Sequence, residues 1–399
     1  MNPGAYVRAN LAKLLLVRSA VCVSVVLVTA TFGAVAAETE EFQPERLKDG
    51  TTLPAGMQRL YVADFSIAHL MDSRVRILDA KTGRYAGVID SGYTGQFTTS
   101  PDGRSGYVVA TYLSRHSHGQ RNDVLEIVDL NTLRLQGEII LPTKHAQAIF
   151  VRELLRTSSD GKYVYLQNAT PATSVTVVDV EQRKVLAEIP TPGCWALYPS
   201  QTTTLRFSAL CGDGTLSTIT LNADGSVQKR SAGTRFFDVE KDPVFVNTVD
   251  DGENYYFLSY QGLLTRANLS GETPVMESSR ELVTAADRKK GWRPGGYQMI
   301  ALHRTTDQLF IGMHPHGGEG SHKTPAREIW EFNIKSGKRV NRYKASNAAV
   351  LAVNQDEPGT LYAVDGLTNQ IHAYDTLHHF KKLYVSDAAG DAVTQLDAP

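Results

Sequence analysis

The sequence predicts an all-β protein, a seven-bladed β-propeller with four-stranded antiparallel blades. Seven short apolar runs each end in aspartate or asparagine, and each is followed by a turn and a second β-rich run. Neighbouring polar residues are about 42 to 65 positions apart, which is typical of propeller blades with loop insertions. The seven polar residues are Asp79, Asp129, Asp179, Asn222, Asn268, Asn333 and Asp375.

Turn-forming residues recur between these runs and support the same fold. Aspartate-glycine pairs at 102–103, 160–161 and 251–252 each precede an apolar run, and such pairs close hairpins because they tolerate positive φ. Only residues 278 to 289 show a helical pattern, so an α/β fold has little support. A pair of β-sandwiches is the alternative, but seven units in series do not divide evenly into two sandwiches.

The first 37 residues have the pattern of a secretory signal peptide. Arg8, Lys13 and Arg18 precede an apolar stretch over 20–34, and small residues follow at 34–37. An uncleaved anchor is the alternative, although about 15 apolar residues are short for a bilayer that needs roughly 20. Residues 38–57 are polar and predict a flexible arm, and residues 58–399 predict the propeller. The last strand candidates, at 382–385 and 393–396, include one that could pair with residues 60–63 and close the ring.

Charge and cysteine content narrow the function classes. Without residues 1–37 the chain has 38 basic and 42 acidic residues, a net charge of −4. This charge does not indicate binding to nucleic acid. After signal cleavage no membrane segment is expected. Cys22 leaves with the signal, and Cys194 and Cys211 remain in an oxidising compartment. We expect these two to pair, while a catalytic thiol is the alternative.

No motif predicts catalysis by this chain alone. His314, His316 and His322 lie near Glu319 in one glycine-rich loop, and such side chains are zinc or copper ligands when a rigid element holds them. A loop that only forms structural or interface contacts is the alternative, and we predict no metal. The chain has no phosphate-binding glycine loop, nucleophile elbow or haem-attachment motif. Together with the signal peptide, this points to a scaffold or a large subunit.

Several separated stretches, in the same order, resemble the large (heavy) subunit of the quinoprotein amine dehydrogenases. They include Gly193-Cys194-Trp195, Cys211-Gly212-Asp213-Gly214 and residues 167–174, 291–297 and 313–330. The resemblance extends from about residue 60 to the final blade. Within the family, the loop at 313–322 and the two cysteine motifs look closer to the aromatic amine (aralkylamine) enzyme than to the methylamine enzyme.

The resemblance implies a periplasmic α2β2 assembly with a small (light) subunit. That partner would hold tryptophan tryptophylquinone and the catalytic base, and electrons would pass to a blue copper protein such as azurin or amicyanin. The resemblance therefore implies no catalytic residue and no cofactor in this chain. This chain would cover the quinone and shape the entrance for a primary amine. An aromatic residue of the large subunit lines the substrate channel in the family. Tyr93 falls at the matching place, where phenylalanine is usual, and Phe97 is the nearby alternative. A packing role for Tyr93 near the central end of the propeller is the other alternative.

Two other functions have the same predicted fold, because fold does not fix function. One is a methylamine dehydrogenase heavy chain. The other is a free-standing secreted propeller, acting as a binding module or as a metal-dependent, lactonase-like hydrolase. The sequence leaves the amine substrate, the electron acceptor, the signal cleavage site and the blade boundaries open.

Overall fold

The computed structural model describes residues 52–399, which form a β-propeller. The predicted signal peptide and most of the predicted arm lie outside these residues. Near the end of that arm, Leu53 is buried and its N–H donates to the Asn131 carbonyl at 2.8 Å. Within 52–399, no helix has the length and apolar character needed to cross a bilayer.

Strands account for nearly all the regular structure of the described residues. The strands, in chain order, are β1 (Arg59–Asp64), β2 (Arg74–Asp79), β3 (Tyr85–Asp90), β4 (Tyr93–Thr99), β5 (Ser105–Leu113), β6 (Arg121–Asp129), β7 (Arg134–Leu141), β8 (Leu155–Thr157), β9 (Tyr163–Asn168), β10 (Ser174–Asp179), β11 (Lys184–Pro190), β12 (Cys194–Pro199), β13 (Arg206–Cys211), β14 (Leu216–Leu221), β15 (Val227–Ala232), β16 (Val244–Asp251), β17 (Asn254–Ser259), β18 (Leu263–Asn268), β19 (Val275–Met276), β20 (Arg280–Glu281), β21 (Arg293–Pro294), β22 (Ile300–His303), β23 (Gln308–His314), β24 (Ala326–Asn333), β25 (Arg339–Val353), β26 (Thr360–Asp365), β27 (Gln370–Asp375), β28 (Lys381–Ala388) and β29 (Val393–Asp397).

Helical structure in the described residues is short. The α-helix α1 spans Ala285–Lys289, and 3-10 turns span Ile67–Asp72, Arg152–Leu154 and Ser321–Lys323. The helical pattern predicted over 278–289 is therefore realised only in its second half. Thr284 caps that helix, because its hydroxyl accepts a hydrogen bond from the Asp287 N–H at 3.2 Å.

The strands are arranged in antiparallel sheets, mostly of four strands. Four sheets have the orders β29-β1-β2-β3, β4-β5-β6-β7, β11-β10-β9-β8 and β12-β13-β14-β15, and a fifth contains β16 to β20. The remaining sheet contains β21 to β28. Its long strand β25 pairs with β24 over residues 339–348 and with β26 over residues 348–353, and Ala348 pairs with both strands.

The polar residues that end the repeated runs hold the turns that follow. The Asp79 carboxylate accepts hydrogen bonds from the Lys81 and Thr82 N–H groups at 2.8 and 3.1 Å. Asp129, Asp375 and Asn333 accept from backbone N–H groups two or three residues ahead in the same way. A short polar side chain at this place satisfies the backbone donors of a tight turn, which explains the repeat seen in the sequence.

The aspartate-glycine turns also repeat in detail. Ser100 and Ser158 each donate to the aspartate two residues ahead, and each hydroxyl accepts an N–H from five residues ahead at 3.0 Å. The following glycines, Gly103 and Gly161, have φ values of 67° and 73°. This left-handed conformation favours glycine, so the predicted hairpin role of these pairs is confirmed.

The predicted disulfide is confirmed. Cys194 and Cys211 face each other in the register of β12 and β13 and are bonded. The alternative of a catalytic thiol is wrong, since both sulfur atoms are consumed by the bond. Closing a loop of 17 residues contributes roughly 3 kcal/mol to the free energy of unfolding in the chain-entropy model.

The ring closes because the last strand pairs with the first strand. In the antiparallel register of β29 and β1, Leu396 faces Val62 and Gln395 faces Ala63. β29 is thus the innermost strand of a sheet whose other three strands come from the start of the described chain. The predicted closure by residues 393–396 is confirmed, whereas residues 382–385 lie in the outer strand β28.

Buried glutamine side chains link the inner strands to one another. Gln96 donates to the Ala148 and Ile149 carbonyls at 3.2 and 3.0 Å and accepts the Val151 N–H at 3.0 Å. Two further glutamines do the same elsewhere: Gln395 donates to Phe97 O, and Gln298 donates to Leu351 O and Leu396 O. An innermost strand has an unpaired backbone edge, and these amides satisfy part of it.

Leu396→Ala tests how much the closing strand contributes. Leu396 is fully buried, so we expect the substitution to lower the free energy of unfolding by about 2–5 kcal/mol. The matched control is Leu383→Ala in the outer strand β28, whose side chain is exposed and whose loss should cost within about 0.5 kcal/mol. Urea denaturation of both variants measures the difference, and equal midpoints would contradict the role assigned to β29.

Candidate functional site

The site is described with two names for the faces of the propeller. The upper face is the one at which the inner strands begin, as β4 does at Tyr93, and the lower face is the one at which they end, as β4 does at Thr99. Because the strands alternate in direction, the loops at 65–73, 114–120 and 315–325 all lie on the upper face.

A cleft of about 440 Å³ opens on the upper face between the first two sheets. Its walls come from the loop before β2, the end of β3, the start of β4 and the end of β5. The lining residues are Met71, Asp72, Arg74, Val88, Asp90, Gly92, Tyr93, Thr111, Tyr112, Leu113 and His116.

The structure separates the two residues proposed for the substrate channel. Tyr93 is half-buried and lines the cleft. Phe97 is 1% exposed and packs in the core, with its ring 5.3 Å from that of Tyr61. Only Tyr93 therefore lies where a small molecule in the cleft would contact it, and its role in a channel stays a prediction.

Gly92 sets the position of Tyr93. Its φ is 57°, and an added Cβ would lie 2.7 Å from the Thr111 carbonyl oxygen and 3.1 Å from the Tyr112 ring. Real side chains do not tolerate the first of these distances. The glycine therefore lets the start of β4 approach β5, where Tyr93 faces Thr111 in register.

A buried network of polar groups lies behind Thr111. The Thr111 hydroxyl donates to Asp123 at 2.7 Å, Arg121 donates to both carboxylate oxygens, and His145 Nδ1 lies 2.8 Å from Asp123 Oδ2. Burial alone would raise the pKa of Asp123, but the hydrogen bonds from His145, Arg121 and Thr111 outweigh it and hold that pKa well below its usual range. Asp123 is therefore a charged anchor for the cleft wall.

A second acidic group supports the Tyr112 ring. The Tyr112 hydroxyl donates to Glu126 Oε1 at 2.8 Å. Burial raises the pKa of Glu126, and the charges of Asp90 and Glu138 raise it further. Burial and the Glu126 carboxylate likewise raise the pKa of Tyr112. The phenol therefore stays protonated and fixes the ring as a rigid wall of the cleft.

The histidine loop does not gather its side chains. His314 is buried, its Nδ1 lies 3.0 Å from the Pro315 carbonyl, and burial lowers its pKa. His316 and His322 are exposed on the upper face. Within residues 52–399, no three His, Cys, Asp or Glu side chains come close enough together to hold a metal ion.

The lower face has its own funnel of about 410 Å³, at the end of the central channel. Two of its arginines are paired with carboxylates: Arg152 with Asp397 at 2.8 Å and Arg304 with Asp250 at 3.2 Å. Because these aspartates are neutralised by arginine, the lower funnel differs from the carboxylate ring that a calcium-dependent hydrolase would need.

The sequence alone did not indicate most of the cleft residues. Three are single charged residues: Asp72 ends a 3-10 turn, Arg74 begins β2 and Asp90 ends β3. Thr111 and Tyr112 are about 20 positions from Tyr93. Only the pairing of β4 with β5 brings them together. The one local signal is the run Asp90-Ser91-Gly92 directly before Tyr93, which marks a turn where the chain leaves one sheet for the next.

Gly92→Ala tests the close approach at the cleft. The matched control is Gly103→Ala, because Gly103 has a similar φ of 67° but no atom within 4 Å of an added Cβ. Both variants carry the cost of positive φ, about 1 kcal/mol, and only Gly92→Ala adds the clash with Thr111. We expect Gly92→Ala to lower the free energy of unfolding by at least about 1 kcal/mol more than the control. Equal losses in thermal or urea unfolding would show that the approach is not constrained.

Comparisons with known proteins support a specific family. The family model described as methylamine dehydrogenase heavy chain matches residues 56–394. The methylamine dehydrogenase heavy chain of Methylophilus methylotrophus is 27% identical over 358 residues, covering 88% of this chain and 87% of that relative. That of Methylobacillus flagellatus is 26% identical, covering 88% of this chain and 90% of the relative.

Solved structures agree on the fold at much lower identity. A putative 6-phosphogluconolactonase from Bacteroides fragilis has a TM-score of 0.57 at 14% identity, covering 86% of this chain and 98% of that chain. Kuenenia stuttgartiensis hydrazine synthase has a TM-score of 0.53 at 15% identity, covering 76% of this chain and 90% of that one. These likenesses show the propeller fold alone. With the family match over nearly the whole described region, the chain belongs to the methylamine dehydrogenase heavy chain family.

Proposed function

We propose that this chain is the large subunit of a periplasmic amine dehydrogenase that depends on tryptophan tryptophylquinone. The family match over residues 56–394 carries the proposal. In this assignment the chain is an enzyme subunit without a catalytic residue of its own. A small subunit holds the quinone and the catalytic base in an α2β2 assembly, and a blue copper protein, azurin or amicyanin, takes the electrons.

We further propose that the propeller has seven blades. The eight-stranded sheet divides naturally at β25, whose first half pairs with β24 and whose second half pairs with β26. Counting β22, β23, β24 and the first half of β25 as one blade leaves the second half of β25 with β26, β27 and β28 as another. With the five smaller sheets, this count matches the seven repeats of the sequence.

The small subunit would dock on the upper face. That face carries the cleft with Tyr93 and two strongly exposed apolar side chains, Ile67 and Leu367, at 70% and 73% exposure. Their loops contact the same connection, because Phe65 N–H donates to Ala392 O and Asn369 donates to Asp391 O. An obligate partner covers such apolar groups at the core of its interface.

The substrate would be a primary amine, and we favour an aralkylamine. The quinone, on the partner, would accept the electrons as the amine is oxidised to aldehyde and ammonia. This chain would exclude water and set the width of the entrance. A cleft of about 440 Å³ with two tyrosines is larger than methylamine needs. Methylamine, named in the relatives' descriptions, is the alternative substrate.

Co-expression with the small subunit tests the proposed function. The partner is expected to be a small, cysteine-rich, tryptophan-containing protein encoded beside this gene. We expect the two chains to co-purify, and added amine to bleach the quinone absorbance of the complex. Turnover of any compound by the isolated, metal-stripped chain, or failure to form a complex with that partner, would contradict the proposal.

Tyr93→Ala in that complex tests the role of the cleft in substrate choice. Loss of the ring should change the ratio of kcat/KM for tyramine to kcat/KM for methylamine by about fivefold, or roughly 1 kcal/mol of transition-state binding. Tyr85→Ala on the exposed outer strand β3 is the matched control and should leave the ratio unchanged. An unchanged ratio in Tyr93→Ala would remove Tyr93 from the channel.

A further inference from the structure

One arginine of the lower funnel has no partner. Arg156 lies in β8, the innermost strand of its sheet, and its half-buried side chain lines the funnel. Within residues 52–399, its guanidinium makes no hydrogen bond and has no carboxylate oxygen within 4.0 Å. Arginine is charged at any pH near neutrality, and a partly buried charge is costly unless an opposite charge pairs with it.

Partial burial distinguishes Arg156 from the other arginines that lack a side-chain partner in the described chain. Those others are all exposed, so water solvates their charges, and they need no ligand. They are Arg84, Arg115, Arg183 and Arg327. Among the described arginines, Arg156 alone combines a place in a cavity with the lack of a partner.

Two aspartates near Arg156 are already engaged by other arginines. Asp250 pairs with Arg304 at 3.2 Å, and Asp397 pairs with Arg152 at 2.8 Å. Burial alone would lower the pKa of Arg156, but nearby groups, these two carboxylates among them, raise it above its usual value. Neither aspartate comes within 4.0 Å of the guanidinium. They therefore stabilise its charge and leave its N–H donors available.

A third nearby carboxylate, Glu153, is also satisfied elsewhere. It accepts the Thr248 N–H at 3.0 Å and the Asn247 side-chain amide at 3.2 Å. Burial raises the pKa of Glu153, which favours its neutral form. The carboxyl group of Pro399 also lines the funnel, but it forms no ion pair with Arg156.

The funnel also contains hydroxyl groups with free donors. Thr98, Thr99 and Ser159 line it and are half-buried, and their side chains make no hydrogen bond with any other described residue. The two oxygens of a carboxylate are satisfied by the fork of one guanidinium. Phosphate and sulfate have further oxygens that accept from hydroxyl donors. This donor set therefore favours a tetrahedral oxyanion over a simple carboxylate.

We propose that the lower funnel binds a tetrahedral oxyanion, such as inorganic phosphate, at Arg156. The guanidinium donates to two of its oxygens, and the hydroxyls of the funnel donate to the others. Because Asp250 and Asp397 oppose a dianion, we expect millimolar rather than micromolar affinity. The funnel lies on the face opposite the Tyr93 cleft, so the site goes beyond the proposed amine chemistry and does not depend on it.

Phosphorus NMR tests the site, through the line width of inorganic phosphate titrated with the full mature chain at constant ionic strength. We expect saturable broadening that sulfate reverses and chloride does not. Arg156→Gln should weaken phosphate binding at least about tenfold, the loss typical of a charged hydrogen-bonding group. Arg84→Gln, at an exposed arginine in the turn between β2 and β3 on the lower face, is the matched control and should bind phosphate normally. No saturable binding, or unchanged affinity in Arg156→Gln, would overturn the proposal.

Chemical protection tests the same site without a substitution, which covers the case that Arg156→Gln does not fold. Phenylglyoxal modifies arginine side chains, and peptide mass spectrometry reports Arg156 and Arg84 separately in the wild-type chain. Phosphate at about twice its dissociation constant should slow the modification of Arg156 about threefold, because only the free site reacts. Arg84 should react at the same rate with and without phosphate. Equal slowing of both arginines, or the same slowing by chloride at equal ionic strength, would show general screening and refute the site.

Discussion

The pairing of β29 with β1 is the constraint on which the rest of the structure depends. A propeller sheet packs only against its two neighbours, so an open ring would expose the inner faces of the first and last sheets. Here one sheet takes its innermost strand from residues 393–397 and its other three from residues 59–90. Closure therefore needs both ends of the propeller chain, and it fixes the first sheet against which the upper cleft is built.

Closure creates a second problem, because a ring of innermost strands presents unpaired backbone groups to the central channel. Buried polar side chains form hydrogen bonds with some of these backbone groups. Gln96, Gln298 and Gln395 reach carbonyl groups of other inner segments. Glu153, just before β8, accepts the N–H of Thr248 in β16 at 3.0 Å. Burial raises the pKa of Glu153. The hydrogen bond from Thr248 offsets part of the free-energy cost of burying the Glu153 side chain. Buried polar side chains therefore connect the inner segments inside the channel. The two large cavities lie on the upper and lower faces.

The repeat, the turns and the disulfide could be predicted from sequence because each is local. Asp79 and Asp129 mark turns through contacts two or three residues away, and Cys194 and Cys211 are close along the chain. Other features are not local. Gln298, for example, donates a hydrogen bond to the carbonyl of Leu396, nearly 100 positions away. Sequence alone could not choose between Tyr93 and Phe97, because only the packing shows that Phe97 points into the core and Tyr93 into the cleft.

The cavities on the two faces of the ring differ in the groups that lie beside their carboxylates. On the lower face, Arg152 pairs with Asp397 of the closing strand β29, and Arg304 pairs with Asp250 near the end of β16. On the upper face, Arg74 pairs with Asp72 and leaves Asp90 without a cation in the described chain. The lower funnel thus has ion pairs in its wall, whereas the upper cleft places an exposed carboxylate near Tyr93 and Tyr112.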